Sequence, residues 1–173
     1  MNTITILLGG NIGNTQQYIE DAEQLLIAQL GLLLKSSSLF KSEPWGFESE
    51  QWFLNKIIQV TSYKLQVTND ENEALKILDI CQAIEMQLGR TRSNNTGYES
   101  RPIDIDILFI DDIIISEPRL IIPHPKLHLR RFTLLPLQEI IPNYIHPVLQ
   151  KTIQTLVEEC DDSGKCEIMM KSK

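Results

Sequence analysis

The stretch Arg101–Asp112, "RPIDIDILFIDD", decides how the chain is read. Isoleucine recurs at 103, 105 and 107, the period of a β-strand with one buried face. Between them stand Asp104 and Asp106, although aspartate is a poor strand former. Residues two apart on a strand point the same way, with Cα atoms roughly 6.6–7 Å apart. The isoleucines are therefore expected to face the core, and the two carboxylates to share the opposite face. Two carboxylates this close repel, and serine or threonine would serve a solvated face with less repulsion. A divalent cation removes the difficulty. Magnesium takes oxygen ligands at about 2.1 Å, typically one or two carboxylates together with substrate phosphates. An edge strand with a solvated acidic face remains the alternative, because D-x-D is short and common.

The residues ahead of this strand favour the metal. "RTRSNNTGYESRP", 90–102, has no apolar period and carries Arg90, Arg92 and Arg101. All six arginines of the chain lie between 90 and 131, and lysine supplies the positive charge elsewhere. Arginine presents a rigid planar fork suited to phosphate or carboxylate. The net charge of −7 argues against a broad nucleic-acid footprint. Arginine concentrated in an acidic chain suggests a small anionic ligand; surface ion pairs with Glu99, Asp111, Asp112 and Glu117 are the competing explanation. Arginines that clamp phosphate oxygens beside a metal-binding carboxylate pair suit phosphoryl transfer, which needs positioning and charge stabilisation. A polar loop ahead of the strand could serve as a lid.

Working outward, "TITILLG" (3–9) reads as a buried strand and 15–30 as a helix with Ile19, Ala22, Leu26 and Leu30 on one stripe. Strands are expected over 32–41 and 53–65, and a second helix over 70–88, stopped by Gly89. After the opening strand, a tight turn at Asp111-Asp112 suggests a hairpin back into "IIIS". "TLLPLQEIIP" and 149–160 read as short helices. The order β-α-β-β-α-β-β-α predicts an α+β, ferredoxin-like sandwich with a largely antiparallel sheet and helices on its outer faces. A single domain is expected over 1–162, followed by a short, disordered tail over 163–173.

Three further features stand out. Trp45, Phe47, Trp52 and Phe53 cluster around a Pro/Gly loop in a chain otherwise poor in aromatics, which suits stacking on a flat heterocycle. Asn55 shares a strand face with Phe53 and brings two donors and an acceptor; Phe132 could supply a second ring. "IPHP" holds His124 between two prolines. "LGGNIGN" reads as a tight strand-to-helix turn, since no G-K-S/T follows it. Cys81, Cys160 and Cys166 have no metal-ligand spacing and suit reduced thiols. No apolar run reaches a membrane span, and the N-terminus lacks a basic region and a long enough apolar run for a signal peptide. A cytoplasmic protein is expected.

In order along the chain stand "LGGNIGN", "S-x-P-W-G…FLN", "E-x-x-L-G-R-x-R", "R-x-x-D-x-D-I-L" and "IPHP…R-x-F-x-L-x-P-L-x-E-I". Together they make the chain resemble the 6-hydroxymethyl-7,8-dihydropterin pyrophosphokinase family. The resemblance implies transfer of a pyrophosphoryl group from ATP to the pterin hydroxymethyl group, release of AMP, two magnesium ions, no nucleic-acid or membrane partner, and a monomer. It implies that Asp104 and Asp106 hold the metals. Phe53 and Phe132 match the pair that sandwiches the pterin, with Asn55 and the Ser42, Pro44, Trp45, Gly46 loop on its edges. Gln82, Glu85, Arg90, Ile107 and His124 match positions around ATP. Arg92, Arg101, Arg119 and Arg130 match phosphate-side positions, and Arg92 and Arg101 are expected to act in catalysis. Ser42 stands where threonine is frequent, and Pro125 where some members carry tyrosine. A magnesium-dependent nucleotidyltransferase or nuclease would predict a nucleic-acid groove, which the acidic total disfavours. A ligand-sensing domain would leave the carboxylate pair unexplained.

Overall fold

The structure is a computed structural model and describes residues 1–47, 49–62, 71–91 and 99–169. Its centre is β1, Asn2–Gly10, which is buried on both faces because its residues are β-branched or leucine. β1 pairs with β4, Phe53–Ser62, on one side and with β5, Asp104–Ile110, on the other. Two short strands, β2 (Gly31–Ser36) and β3 (Phe40–Ser42), both pair with β4. Every pairing among the described strands is antiparallel. The order β5-β1-β4 followed by β2 and β3 is the ferredoxin-like arrangement, with the expected second strand divided in two.

The division has a local cause. Ser37 donates its N–H to the Ile57 carbonyl, and its hydroxyl accepts the Ile57 N–H. A side chain thus replaces a backbone carbonyl in the ladder, and the run expected over 32–41 breaks at 37–39.

Two helices cover each face of the sheet. α1, Thr15–Leu30, and α2, Glu71–Gln87, pack Leu26, Leu30, Ile77 and Ile84 against Ile6, Ile105 and Ile107. α3, Arg131–Ile140, and α4, Ile153–Glu158, pack Leu134, Leu137 and Leu156 against Leu7, Leu108 and Phe109. The isoleucines of the opening stretch face α1 and α2, as their period predicts. A register shift opposite Thr5 and Ile6 leaves Leu108 unmatched, and both Leu108 and Phe109 join the α3/α4 core. Asp104 and Asp106 project from the same sheet face as that core, on β5 ahead of the shift.

Three further expectations are corrected. The chain does not fold back at Asp111-Asp112 to pair with β5. β6, Ile115–Glu117, pairs instead with β7, Leu120–Ile122, in a separate two-stranded sheet. The turn's polar groups are engaged elsewhere: the Asp111 carboxylate accepts from Thr3 N–H and Asn2 Nδ2, and the Tyr144 hydroxyl donates to the Asp111 carbonyl. The tail expected to be disordered from 163 is ordered through 169. β8, Cys166–Ile168, pairs with β3 because the outer rim of that strand is open to it. Of the strand expected over 53–65 and the helix over 70–88, the parts at 63–70 lie outside the described residues. The helix expected over 149–160 is shorter, because Thr152 caps α4 with its own hydroxyl.

Gly10 brings the end of β1 against the segment that leads into β5. A Cβ at this position would lie 2.3 Å from the Pro102 carbonyl oxygen. Gly10→Ala is therefore expected to destabilise the protein by roughly 1–3 kcal/mol through overpacking, measured by urea denaturation.

Candidate active site

The site is assembled on Asp104. α2 ends in a Schellman turn: Gly89 has φ +91°, its N–H donates to the Met86 carbonyl, and Arg90 N–H donates to the Glu85 carbonyl. The next side chain is thereby turned back, and the Arg90 guanidinium bonds Asp104 Oδ1 and, at 2.5 Å, Glu85 Oε1. Glu85 Oε1 also accepts Ile105 N–H at 2.8 Å, so Glu85 ties α2 to β5. From the other side Arg101 pairs with Asp104 Oδ2.

Arg101 is itself held by a residue that sequence reasoning assigned only to a turn. Asn11 is buried; its Oδ1 accepts Arg101 N–H at 2.9 Å, its Nδ2 donates to Ser100 Oγ, and its own N–H donates to the Arg101 carbonyl. An asparagine after two glycines was visible in the sequence, but its partners lie about ninety residues away. Arg101 Nε is buried and has no hydrogen-bond partner among the described residues, a donor left for an anion.

Asp106 sits in a different field. Among the described residues its nearest cation is Arg130, with Nη1 3.8 Å from Oδ2. Burial, and after it the Asp104 carboxylate, push the Asp106 carboxyl up to about 7; Arg130 and Arg101 offset part of this. A hard divalent cation would relieve the same repulsion, and the two aspartates are oxygen donors of the type magnesium takes. No third acidic, histidine or cysteine ligand joins them among the described residues, so the remaining coordination would come from water and substrate oxygens.

Beside the carboxylates lies an aromatic-walled cleft. Phe53, Phe132, Trp45 and Phe47 wall it, with Ser42 and Asn55 among its polar groups. Asn55 is 2% exposed and donates from Nδ2 to Ser42 Oγ at 2.8 Å. Gly9 stands opposite Asn55 in the ladder, and a Cβ there would come within 3.0 Å of Asn55 Oδ1. Phe47 meets Phe53 edge to face at 6.0 Å. The Arg130 guanidinium lies over the Trp45 and Phe132 rings, at 5.0 and 5.7 Å, and joins the aromatic wall to Asp106. Pro44 lies behind this wall in a smaller cavity, Gly46 supplies a turn at φ +79°, and Trp52 packs outside under Lys41. Leu7 and Glu43 line the cleft without having been singled out in the sequence.

A second cavity, about 250 Å³, opens beside Asp106. Ile107, Leu120, Arg119 and His124 line it. Burial, then Arg130, lower His124 to about 4, so it is neutral at pH 7. Its Nδ1 accepts Lys126 N–H, which puts the ring proton on Nε2. Its backbone N–H donates to the Leu108 carbonyl and fixes the "IPHP" turn, with its cis Ile122–Pro123 bond, on β5. Arg119 pairs with Asp79 at the surface, and Gln82 lies outside the residues lining either cavity. Arg92 lies outside the described residues. No helix among the described residues is long and apolar enough to cross a membrane.

Residues 5–142 match the family model described as 7,8-dihydro-6-hydroxymethylpterin-pyrophosphokinase. The 2-amino-4-hydroxy-6-hydroxymethyldihydropteridine pyrophosphokinase of Porphyromonas gingivalis is 38% identical over 149 residues, 85% of this chain and 95% of the relative. That of Bacillus subtilis is 35% identical over 142 residues, 81% and 79% of the two chains. Among solved structures, wild-type Plasmodium falciparum HPPK-DHPS shares the fold, with a TM-score of 0.69 at 20% identity. The match covers 91% of this chain and 44% of that longer one.

A carboxyl group whose pKa rises on folding stabilises the protein fully below its unfolded value, here 3.8, and loses that contribution as pH rises through about 7. Asp106→Asn is therefore expected to raise the melting temperature of metal-free protein at pH 8. Because Asp106 keeps 30% of its surface exposed, the gain should be only about 1 kcal/mol, or roughly 2–4 °C. Calorimetry across pH should show the gain growing from about pH 4 and levelling off above 7.

Proposed function

This chain belongs to the 7,8-dihydro-6-hydroxymethylpterin-pyrophosphokinase family and transfers pyrophosphate to the hydroxymethyl group of the dihydropterin in folate biosynthesis; from that premise we propose how its two cavities divide the reaction. The aromatic cleft takes the pterin and the second cavity takes the nucleoside end of ATP. The observation that carries this reading is that Asp106 lines both cavities. One carboxylate wall is where an acceptor hydroxyl and a donor phosphate can meet.

Phe53 and Phe132 lie against the faces of the pterin ring. Asn55, with Ser42 and the Ser42–Gly46 backbone, hydrogen-bonds its edges. A flat heteroaromatic ring with donors and acceptors on one edge matches rings on either side of a buried amide. On the other side, Ile107 and Leu120 flank the base, with His124 Nε2–H as a donor. Arg119 approaches from the rim.

Asp104 and Asp106 are the residues that would hold two magnesium ions. When bound, magnesium supplies charge neutralisation along the triphosphate and polarisation of the acceptor hydroxyl. The chain's own work is arrangement. Arg90 and Arg101 neutralise Asp104 in the free protein; on substrate binding they exchange carboxylate for phosphate oxygens, Arg101 with a buried Nε–H that lacks a partner among the described residues. Arg130 and Arg92 add charge on the transferred group. The acceptor oxygen forms a bond to the β-phosphorus, the bond from that phosphorus to the α-bridging oxygen breaks, and AMP leaves. The hydroxyl proton passes to solvent. Glu85 acts through Arg90 and β5 rather than on ATP directly. The two cavities are built from one chain, which suits a monomer.

With magnesium and ATP, AMP release should depend on added 6-hydroxymethyl-7,8-dihydropterin. Asp104→Ala and Asp106→Ala should each lower kcat by about 100-fold or more, as loss of a major electrostatic contact does. Near-normal turnover by either variant, or ADP as the nucleotide product, would sink this reading.

A further inference from the structure

We propose that residues 162–166 are a positioning element of the pterin cleft, with Asp162 acting through Arg130 and Phe132. The family match ends at residue 142, and this segment lies beyond it. The inference rests on the reading of the aromatic cleft as the pterin site.

Two sets of contacts carry it. The first is at the start of α3. That helix begins beside the cleft, and its N-cap residue, Arg130, makes no side-chain cap. The first N–H groups of a helix have no partner within it, and a carboxylate is favoured there by hydrogen bonding and by the helix dipole. Asp162 supplies that carboxylate from thirty-one residues away: Oδ2 accepts Arg131 N–H at 2.9 Å. Its other oxygen accepts Gly164 N–H at 3.0 Å, which sets the carboxylate's angle. The residues on either side of the capped N–H are Arg130, over the Trp45 ring and against Asp106, and Phe132, a wall of the cleft.

The second set is on the opposite wall. Glu43 N–H donates to the Lys165 carbonyl at 3.0 Å, and Lys165 N–H donates to Glu43 Oε2 at 2.9 Å. Cys166 pairs with Ser42 in the strand ladder. The segment therefore bonds both the loop that carries Ser42 and Trp45 and the helix start that carries Arg130 and Phe132. A small cavity between them is walled by Trp45 and Phe132 from the cleft side and by Asp162 and Cys166 from the tail side. These contacts make the segment a brace that sets the distance between the two aromatic walls.

The test separates the substrates. The chain has two tryptophans, and in a Trp52→Phe background the emission of Trp45 reports the cleft alone. In that background Asp162→Ala should raise the Kd for 6-hydroxymethyl-7,8-dihydropterin five- to tenfold. The Kd for AMP, which lacks the transferred phosphates that Arg130 faces, should stay within about twofold by calorimetry, because the second cavity is untouched. Asp162→Asn keeps one acceptor without the charge and should raise the pterin Kd two- to threefold; it carries the test if the alanine variant fails to fold. Equal weakening of both ligands, or a pterin Kd unchanged within error in both variants, would overturn the proposal. A parent protein that does not bind the dihydropterin would overturn the reading of the cleft and this inference with it.

Discussion

Asp104 held between Arg90 and Arg101 is the constraint on which the site depends. Each arginine reaches it for a different structural reason. Arg90 is turned back by the glycine-terminated end of α2. Arg101 is clamped by Asn11 at the end of β1. The end of α2, the segment that leads into β5 and, through Asn11, the distant end of β1 are therefore tied to one carboxylate, and β5 provides the rigid strand that carries it. A binding constellation built on strands and a helix end is held more tightly than one built on loops alone.

The same arrangement stores opposition. A second carboxylate two residues on is kept near the first, partly buried, with Arg130 and Arg101 offsetting only part of the cost. Stability alone would favour a neutral residue there. The fold accepts the cost because its sheet is buried on both faces and covered by two helices on each side. Functional sites are where such local conflict is expected to persist, supported by agreement elsewhere.

Much of this was legible in the residues. The period of two around Asp104 and Asp106 placed them on one face, opposite the isoleucines, and the structure agrees. α1 spans Thr15–Leu30, the range its apolar stripe predicts, and Gly89 ends α2 with the positive φ expected of it. The aromatic loop and Asn55 do share a cleft with Phe132. What was illegible depended on distant partners. The turn at Asp111 looked like a hairpin because its side chain's commitment to Thr3 is over a hundred residues away. The tie that Glu85 makes between α2 and β5 was equally hidden, since it runs to a backbone N–H twenty residues on. The division of the second strand rests on one serine hydroxyl substituting for a carbonyl, which no propensity reports.

The pairing of β8 with β3 has a further bearing on the state of the protein in solution. Without β8, Phe40–Ser42 would present a row of open backbone donors and acceptors next to the aromatic cleft. Such a rim is a template for any extended chain, a second copy included. By filling that rim from within the same chain, the C-terminal strand keeps the cleft's border from becoming a seed for aggregation.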